Sequence, residues 1–182
     1  MKALVIVDAQ NGFYLDGQEV KSQRHSRALN VISELLYGDF DFDYTFATRF
    51  VNSPDSTISR HLGWTEMMEG CWSTRLNDTV EKRVLELGEI VSKCTYSSSL
   101  LINRIISLGI DEVVVAGFDT DACVLATVYG LFDSGVKTTV ITDGCASSNE
   151  KFHRYAVSIM KRNLGISNTV GIGRWKQLQG FS

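Results

Sequence analysis

Three reactive side chains stand where apolar runs give way to turns. Asp8 follows Ala3–Val7, Lys93 closes the weaker run Glu89–Lys93, and Cys123 lies just beyond Val113–Ala116. A thiol can attack a carbonyl carbon if a neighbouring group takes its proton and later returns it to the leaving group. A carboxylate can shuttle that proton, and an ammonium can stabilise the thiolate. The segment Gly117-Phe118-Asp119-Thr120-Asp121-Ala122-Cys123 is the most informative. A strand ends at a glycine, a polar turn follows, and an apolar helix from Ala122 to Phe132 begins with the cysteine in its first turn. Thr120 or Asp121 can serve as N-cap, leaving backbone N–H groups free just beyond. The positive end of the helix dipole there favours thiolate, and the same N–H groups can hold an oxyanion. The pattern suits acyl transfer.

Each residue taken singly also has an ordinary reading: Asp8 as a turn former, Lys93 as solvated surface, Cys123 as core. Histidine, the usual partner of a catalytic cysteine, is poorly placed. His25 and His153 fall on helix patterns, and His61 falls in an irregular stretch. Cys71, Cys94 and Cys145 form no CxxC pair and have no histidine at ligand spacing, so they read as structural thiols and no metal site is expected.

The elements that must position these groups follow from periodicity. Ala3–Val7, Tyr44–Thr48, Val113–Ala116 and Thr138–Thr142 read as strands apolar on both faces, as in a covered parallel sheet. Thr169–Ile172 adds a short edge strand. Between them fall helical stripes: Ala28, Ile32, Leu35 and Leu36; Leu101, Ile105 and Leu108, closed by Gly109; and Phe152, Tyr155, Ala156, Ile159 and Met160. Strand and helix alternate, which predicts an α/β fold, a three-layer α/β/α sandwich around a mostly parallel, doubly wound sheet. Ligands then bind at the carboxyl ends of the strands. The stretch from Arg49 to Asn77 shows no clear periodicity and is expected to form a lid or pocket wall. The helix from Ala122 is apolar almost all round, so it is expected to be covered on both sides, by the sheet and by a second subunit or the irregular segment.

Composition excludes other classes. A chain of 182 residues, 44% hydrophobic and 21% charged, fits one globular domain over 1–182. A net charge of -3, with Lys and Arg scattered, gives no footprint for nucleic acid or an anionic membrane. The apolar N-terminal run is too short for a signal peptide, so a cytoplasmic protein is expected.

Three motifs in order carry a family resemblance. Val7-Asp8-Ala9-Gln10-Asn11-Gly12-Phe13, Lys93-Cys94-Thr95-Tyr96-Ser97-Ser98 and Ala116–Val124, followed by Asp143-Gly144-Cys145-Ala146, resemble the isochorismatase-like cysteine hydrolases. The resemblance runs from the first strand to about Asn149. It implies Cys123 as nucleophile, Asp8 as proton shuttle and Lys93 as the residue polarising both. It also implies a cis peptide at Phe118–Asp119 and an oxyanion hole from the N–H groups of Asp119 and Cys123. The implied reaction is cleavage of a C–N bond in a small amide or ureido compound through a thioester; no cofactor is expected, and a homodimer or larger homo-oligomer is the expected assembly. Pyruvyl-ether hydrolysis of the isochorismatase type, or ligand binding without turnover, are the rival readings.

The chain also departs from its relatives. Nicotinamidases of the family bind a metal through Asp-x-His after the second strand and a further histidine. Here the stretch reads Thr48-Arg49-Phe50-Val51-Asn52, and His61 is alone. Arg49 stands near the expected pocket, either gripping a substrate carboxylate or carbonyl or tying down the irregular segment in a salt bridge. Phe13, Trp64, Trp72 and Tyr96 are the aromatic candidates for pocket walls around a flat or apolar substrate. Ser99 replaces the usual Phe of the lysine motif, which bears on pocket shape.

Overall fold

The computed structural model describes residues 1–181. Six strands build the main sheet: β1 (Lys2–Val7), β4 (Tyr44–Phe50), β5 (Gly88–Lys93), β6 (Glu112–Phe118), β7 (Lys137–Ala146) and β8 (Thr169–Val170). Their spatial order is β5-β4-β1-β6-β7-β8, and every pairing is parallel. A small antiparallel pair, β2 (Leu15–Asp16) with β3 (Glu19–Val20), follows the short helix α1 (Asn11–Tyr14).

Alternation along β1 shows why the sheet is covered on both faces. Leu4 and Ile6 join a core with α2 (Gln23–Tyr37) and α4 (Asp78–Leu87), against which α8 (Ile172–Gln179) packs Trp175. Ala3, Val5 and Val7 join the opposite core with α5 (Ser99–Ser107), α6 (Leu125–Asp133) and α7 (Glu150–Leu164). Each fully buried Leu, Ile or Val contributes roughly 1.5–3 kcal/mol, so a strand filled with them cannot sit at a solvated face. The result is the expected three-layer α/β sandwich.

The order in which strands are added reverses between β1 and β6, which run parallel, giving a crevice at their carboxyl ends. Gly117 makes that junction tight. Its φ of 135° is open to glycine, and a Cβ there would lie 2.1 Å from the Val7 carbonyl oxygen. Any larger residue would push the turn after β6 away from Asp8.

Several elements differ from the sequence reading. β4 continues to Phe50, and β7 runs from Lys137 to Ala146 with a register irregularity opposite Val115 and Gly117. The supposedly aperiodic stretch contains α3 (Thr57–Leu62), capped by Ser56 and ended by Gly63 at φ 66°, and a short 3-10 turn at Trp72–Thr74. The stripe on α7 is His153, Ala156, Met160 and Leu164, whereas Phe152, Tyr155 and Ile159 are about half exposed. The apolar arc on that helix is wider than the surface the sheet covers, so one flank stays in solvent. α6 shows the same effect, with Val128 and Leu131 buried and Phe132 exposed. Gly109 follows the last turn of α5 at φ 68°, where its freedom is needed.

Candidate active site

Asp8, Lys93 and Cys123 come together at the carboxyl ends of the strands. The Lys93 Nζ donates to Asp8 Oδ2 at 2.6 Å, and both side chains are essentially removed from solvent. The remaining Lys93 protons go to the carbonyl oxygens of Thr95 and Tyr96, both at 3.0 Å. Thr48, one strand over, donates its hydroxyl to Asp8 Oδ1 at 2.6 Å and accepts the Asp8 N–H at 3.1 Å. Both carboxylate oxygens are thus held. Asp8 sits at φ 45°, a left-handed conformation sparsely used by residues other than glycine, and these bonds hold it there.

Gln10 extends the scaffold. Its amide donates to the carbonyls of Phe50 and Thr74 at 2.8 Å and accepts the Phe50 N–H at 2.7 Å. The end of β4 is thereby tied to the loop before α4. Neither Thr48 nor Gln10 is reactive, so residue type alone did not single them out.

Cys123 lies in a π-helical turn, Thr120–Val124, that leads into α6. The Val124 N–H reaches the Asp119 carbonyl at 3.1 Å, and the Phe118–Asp119 peptide is cis. Asp119, not Thr120 or Asp121, is the residue at the cap position, and no side chain caps the turn. The two expected caps are engaged elsewhere. The Thr120 hydroxyl lies 2.8 Å from His153 Nδ1, and Asp121 accepts the Ser147 hydroxyl. Both contacts anchor the turn to the start of α7.

The electrostatics correct one expectation. Cys123 is not poised as a thiolate. Burial pushes its pKa up, the facing Asp8 carboxylate pushes it further, and Lys93 only partly opposes them. Burial also works to lower the Lys93 pKa, but Asp8 and Cys123 together raise it. The resting pair is therefore a thiol beside an ammonium–carboxylate bridge. Asp119 is also unusual: burial first, then the charge of Asp121, raises its carboxyl to about 7.

A cavity of about 190 Å³ opens onto Cys123. Phe13, Trp64 and Tyr96 line it, as does Asp119. Phe50, Ile58 and Leu62 line it too and were not anticipated. Ser56, Ile58, Leu62 and Gly63 do carry a helix signal, a cap, an i,i+4 apolar pair and a stop. Two candidates are not brought to this cavity. Arg49 projects beside β5, where its guanidinium reaches Ser92 Oγ at 3.3 Å, and Trp72 lines a separate surface cleft with Asn11 and Arg75. A wider crevice of about 660 Å³ separates the N-termini of α2 and α7, but its Arg24 pairs with Glu150 and its Arg27 with Asp143.

The remaining cysteines play no part in the cleft. Cys145 is fully buried with its thiol raised to about 12 by burial, while Cys71 and Cys94 are exposed.

Fold and cleft define a class: a doubly wound α/β protein presenting a carboxylate, a lysine and a buried cysteine at the switch point of its sheet. The chain belongs to the isochorismatase family, whose domain model matches residues 2–170. It is 35% identical over 71 residues to the nicotinamidase of Escherichia coli K12, a stretch covering 39% of this chain and 33% of that relative. Among solved structures, a nicotinamidase from Bacillus subtilis superposes with a TM-score of 0.79 at 22% identity, covering 93% of this chain and 98% of the other. N-carbamoylsarcosine amidase from Thermoplasma acidophilum gives a TM-score of 0.74 at 22% identity over 93% and 95% of the two chains. Relatives bearing these names hydrolyse C–N bonds.

The Asp-x-His metal motif weighed in the sequence is absent, and the residues that stand in its place do not fit a metal. In the stretch where Asp-x-His would stand, Phe50 puts its ring into the cavity wall, and Asn52 is committed to its own loop. Asn52 Nδ2 donates to the Trp64 and Glu66 carbonyls at 3.0 and 3.1 Å, and its Oδ1 accepts the Ser56 hydroxyl at 2.6 Å. Among the described residues no group of three or more His, Cys, Asp and Glu is placed to hold a metal, and no helix is long and apolar enough to cross a membrane.

Proposed function

We propose that this protein is a cysteine amidohydrolase that cleaves the C–N bond of a small amide or ureido compound through a thioester. The observation that carries the reading is the Lys93–Asp8 bridge of 2.6 Å beside the buried Cys123 thiol, at the floor of a cavity. The family relatives named nicotinamidase and amidase support the same bond class.

Because Cys123 rests as a thiol, its proton moves during the attack. Asp8 accepts it as Sγ adds to the carbonyl carbon, and Lys93 stabilises the negative charge on the sulfur side. The N–H groups of Asp119 and Cys123 hold the developing oxyanion. The C–N bond then breaks, Asp8 returns the proton to nitrogen, and ammonia or an amine departs. Water, deprotonated by Asp8, attacks the thioester. The carboxylic acid leaves and the sulfur recovers its proton.

The deciding variant is Cys123→Ala, expected to lower amide turnover by at least about 10⁴-fold while far-UV circular dichroism and melting temperature stay close to wild type. Acid-quenched wild-type reactions should show an acyl adduct on Cys123 by peptide mass. Undiminished hydrolysis by the alanine variant would end the reading. Cytoplasmic residence, a single domain over 1–182 and a homo-oligomeric state remain parts of the proposal.

A further inference from the structure

The cavity wall facing Cys123 is almost wholly hydrocarbon. Phe50 packs edge-on to Phe13 at 6.4 Å between ring centroids and against Trp64 at 5.7 Å. Ile58 and Met67 complete this small cluster, and Leu62 stands 64% exposed at the mouth. No Lys, Arg or His is among the described residues lining the cavity. Lys93, just beneath, has its three protons committed to Asp8, Thr95 and Tyr96. Arg49, which could have met a substrate anion, is held beside Ser92 instead. The acidic residue of the lining is Asp119, and Asp8 beneath it is paired with Lys93, so no free cation among the described residues is left to meet a substrate carboxylate.

From this wall we infer that the substrate is an uncharged amide whose acyl group is compact and apolar. The inference rests on the hydrolase reading and names the substrate class of that site. An isolated carboxylate seated among these rings loses its water and gains no cation within the wall, and an ammonium meets only Asp119, whose buried carboxyl is raised to about 7 and is neutral below that pH. The cavity is smaller than the roughly 300 Å³ at which drug-sized pockets begin, so the acyl group is a branched aliphatic or single-ring group.

Charge and shape can be separated with four amides: isovaleramide and benzamide, both neutral, and terephthalamate and para-aminomethylbenzamide, which add one charge to the benzamide frame. Ammonia release is measured for each. The better neutral amide should exceed either charged one by about 100-fold or more in kcat/KM. Equal or better turnover of a charged amide overturns the inference while leaving the hydrolase reading intact. In Leu62→Arg, where a guanidinium is added at the mouth, the preference over terephthalamate should shrink by about tenfold. An unchanged ratio would remove this wall as the source of selectivity and overturn the assignment. If none of the four is hydrolysed, the hydrolase reading loses its support for this class. The wall is then tested by protection of Cys123 from iodoacetamide at alkaline pH. Protection by the neutral amides alone upholds an apolar acyl site, and equal protection by charged and neutral amides, or none, overturns it.

Discussion

The floor and the wall of the cleft are built in opposite ways. The floor is polar, buried and fixed by strand ends: Asp8, Thr48 and Lys93 exchange short hydrogen bonds across three neighbouring strands. The wall is apolar and hangs from one buried amide, Asn52, which gathers the loop from Ser53 to Glu66 through side-chain bonds to Ser56, Ser59, Trp64 and Glu66. Its backbone N–H is also bonded to the Met67 carbonyl at 2.8 Å. The sheet resists displacement because β1 and β4 are paired on both sides and β5 is laddered to β4 along its whole length. A loop held by a few side-chain bonds can be remodelled without touching the sheet. Chemistry and selectivity are thereby placed on parts of the molecule that can vary separately.

Breaking the floor should have the largest effect on stability. Lys93→Met leaves the Asp8 carboxylate buried without its cation and is expected to cost about 3–5 kcal/mol in denaturant unfolding, besides abolishing turnover. The exposed Arg104–Glu89 pair at 2.7 Å is the control, and Arg104→Ala should leave the unfolding midpoint close to wild type. Similar costs for the two would mean that the bridge is not the buried feature described here.

Loosening the wall should act on binding. Asn52→Ala is expected to raise KM by about tenfold while changing kcat less, and to speed proteolytic nicking between residues 53 and 66. A loss confined to kcat would mean that the loop serves the chemistry directly.

The smallest effect lies where floor and wall meet. Asp119, raised to about 7, is neutral below that pH and ionised above it. Ionisation places negative charge beside the proposed oxyanion position, so kcat/KM should decline as pH rises through about 7. Asp119→Asn should flatten that limb, a change of only a few fold, roughly three. A limb that survives the substitution belongs to another group.

How much of this was legible in the sequence differs between the same two regions. Asp8, Lys93 and Cys123 each close or follow a strand pattern, and in a parallel sheet strand ends converge. Residue type and position therefore marked the three as candidates, and the ordered family motifs joined them into one site. The wall was only half readable. Phe13, Trp64 and Tyr96 stood out as aromatics, but so did Trp72, which ended in a different cleft. Arg49 and Phe50 are adjacent, and alternation sends one beside Ser92 and the other into the cavity. Which one faces inward depends on where β4 ends, a boundary the sequence pattern placed at Thr48.

The residue sequence by itself determined the alternation of strand and helix, the parallel sheet and the chemical identity of the groups at its carboxyl edge. Those follow from short-range periodicity and from side-chain type, which no packing alters. Tertiary structure alone decided which polar neighbours hold Asp8, which flank of α7 stays in solvent, and that Cys123 rests as a thiol. The local helix signal pointed to a thiolate. Desolvation and the nearby Asp8 charge outweighed it, because both act through space from residues far apart in the chain.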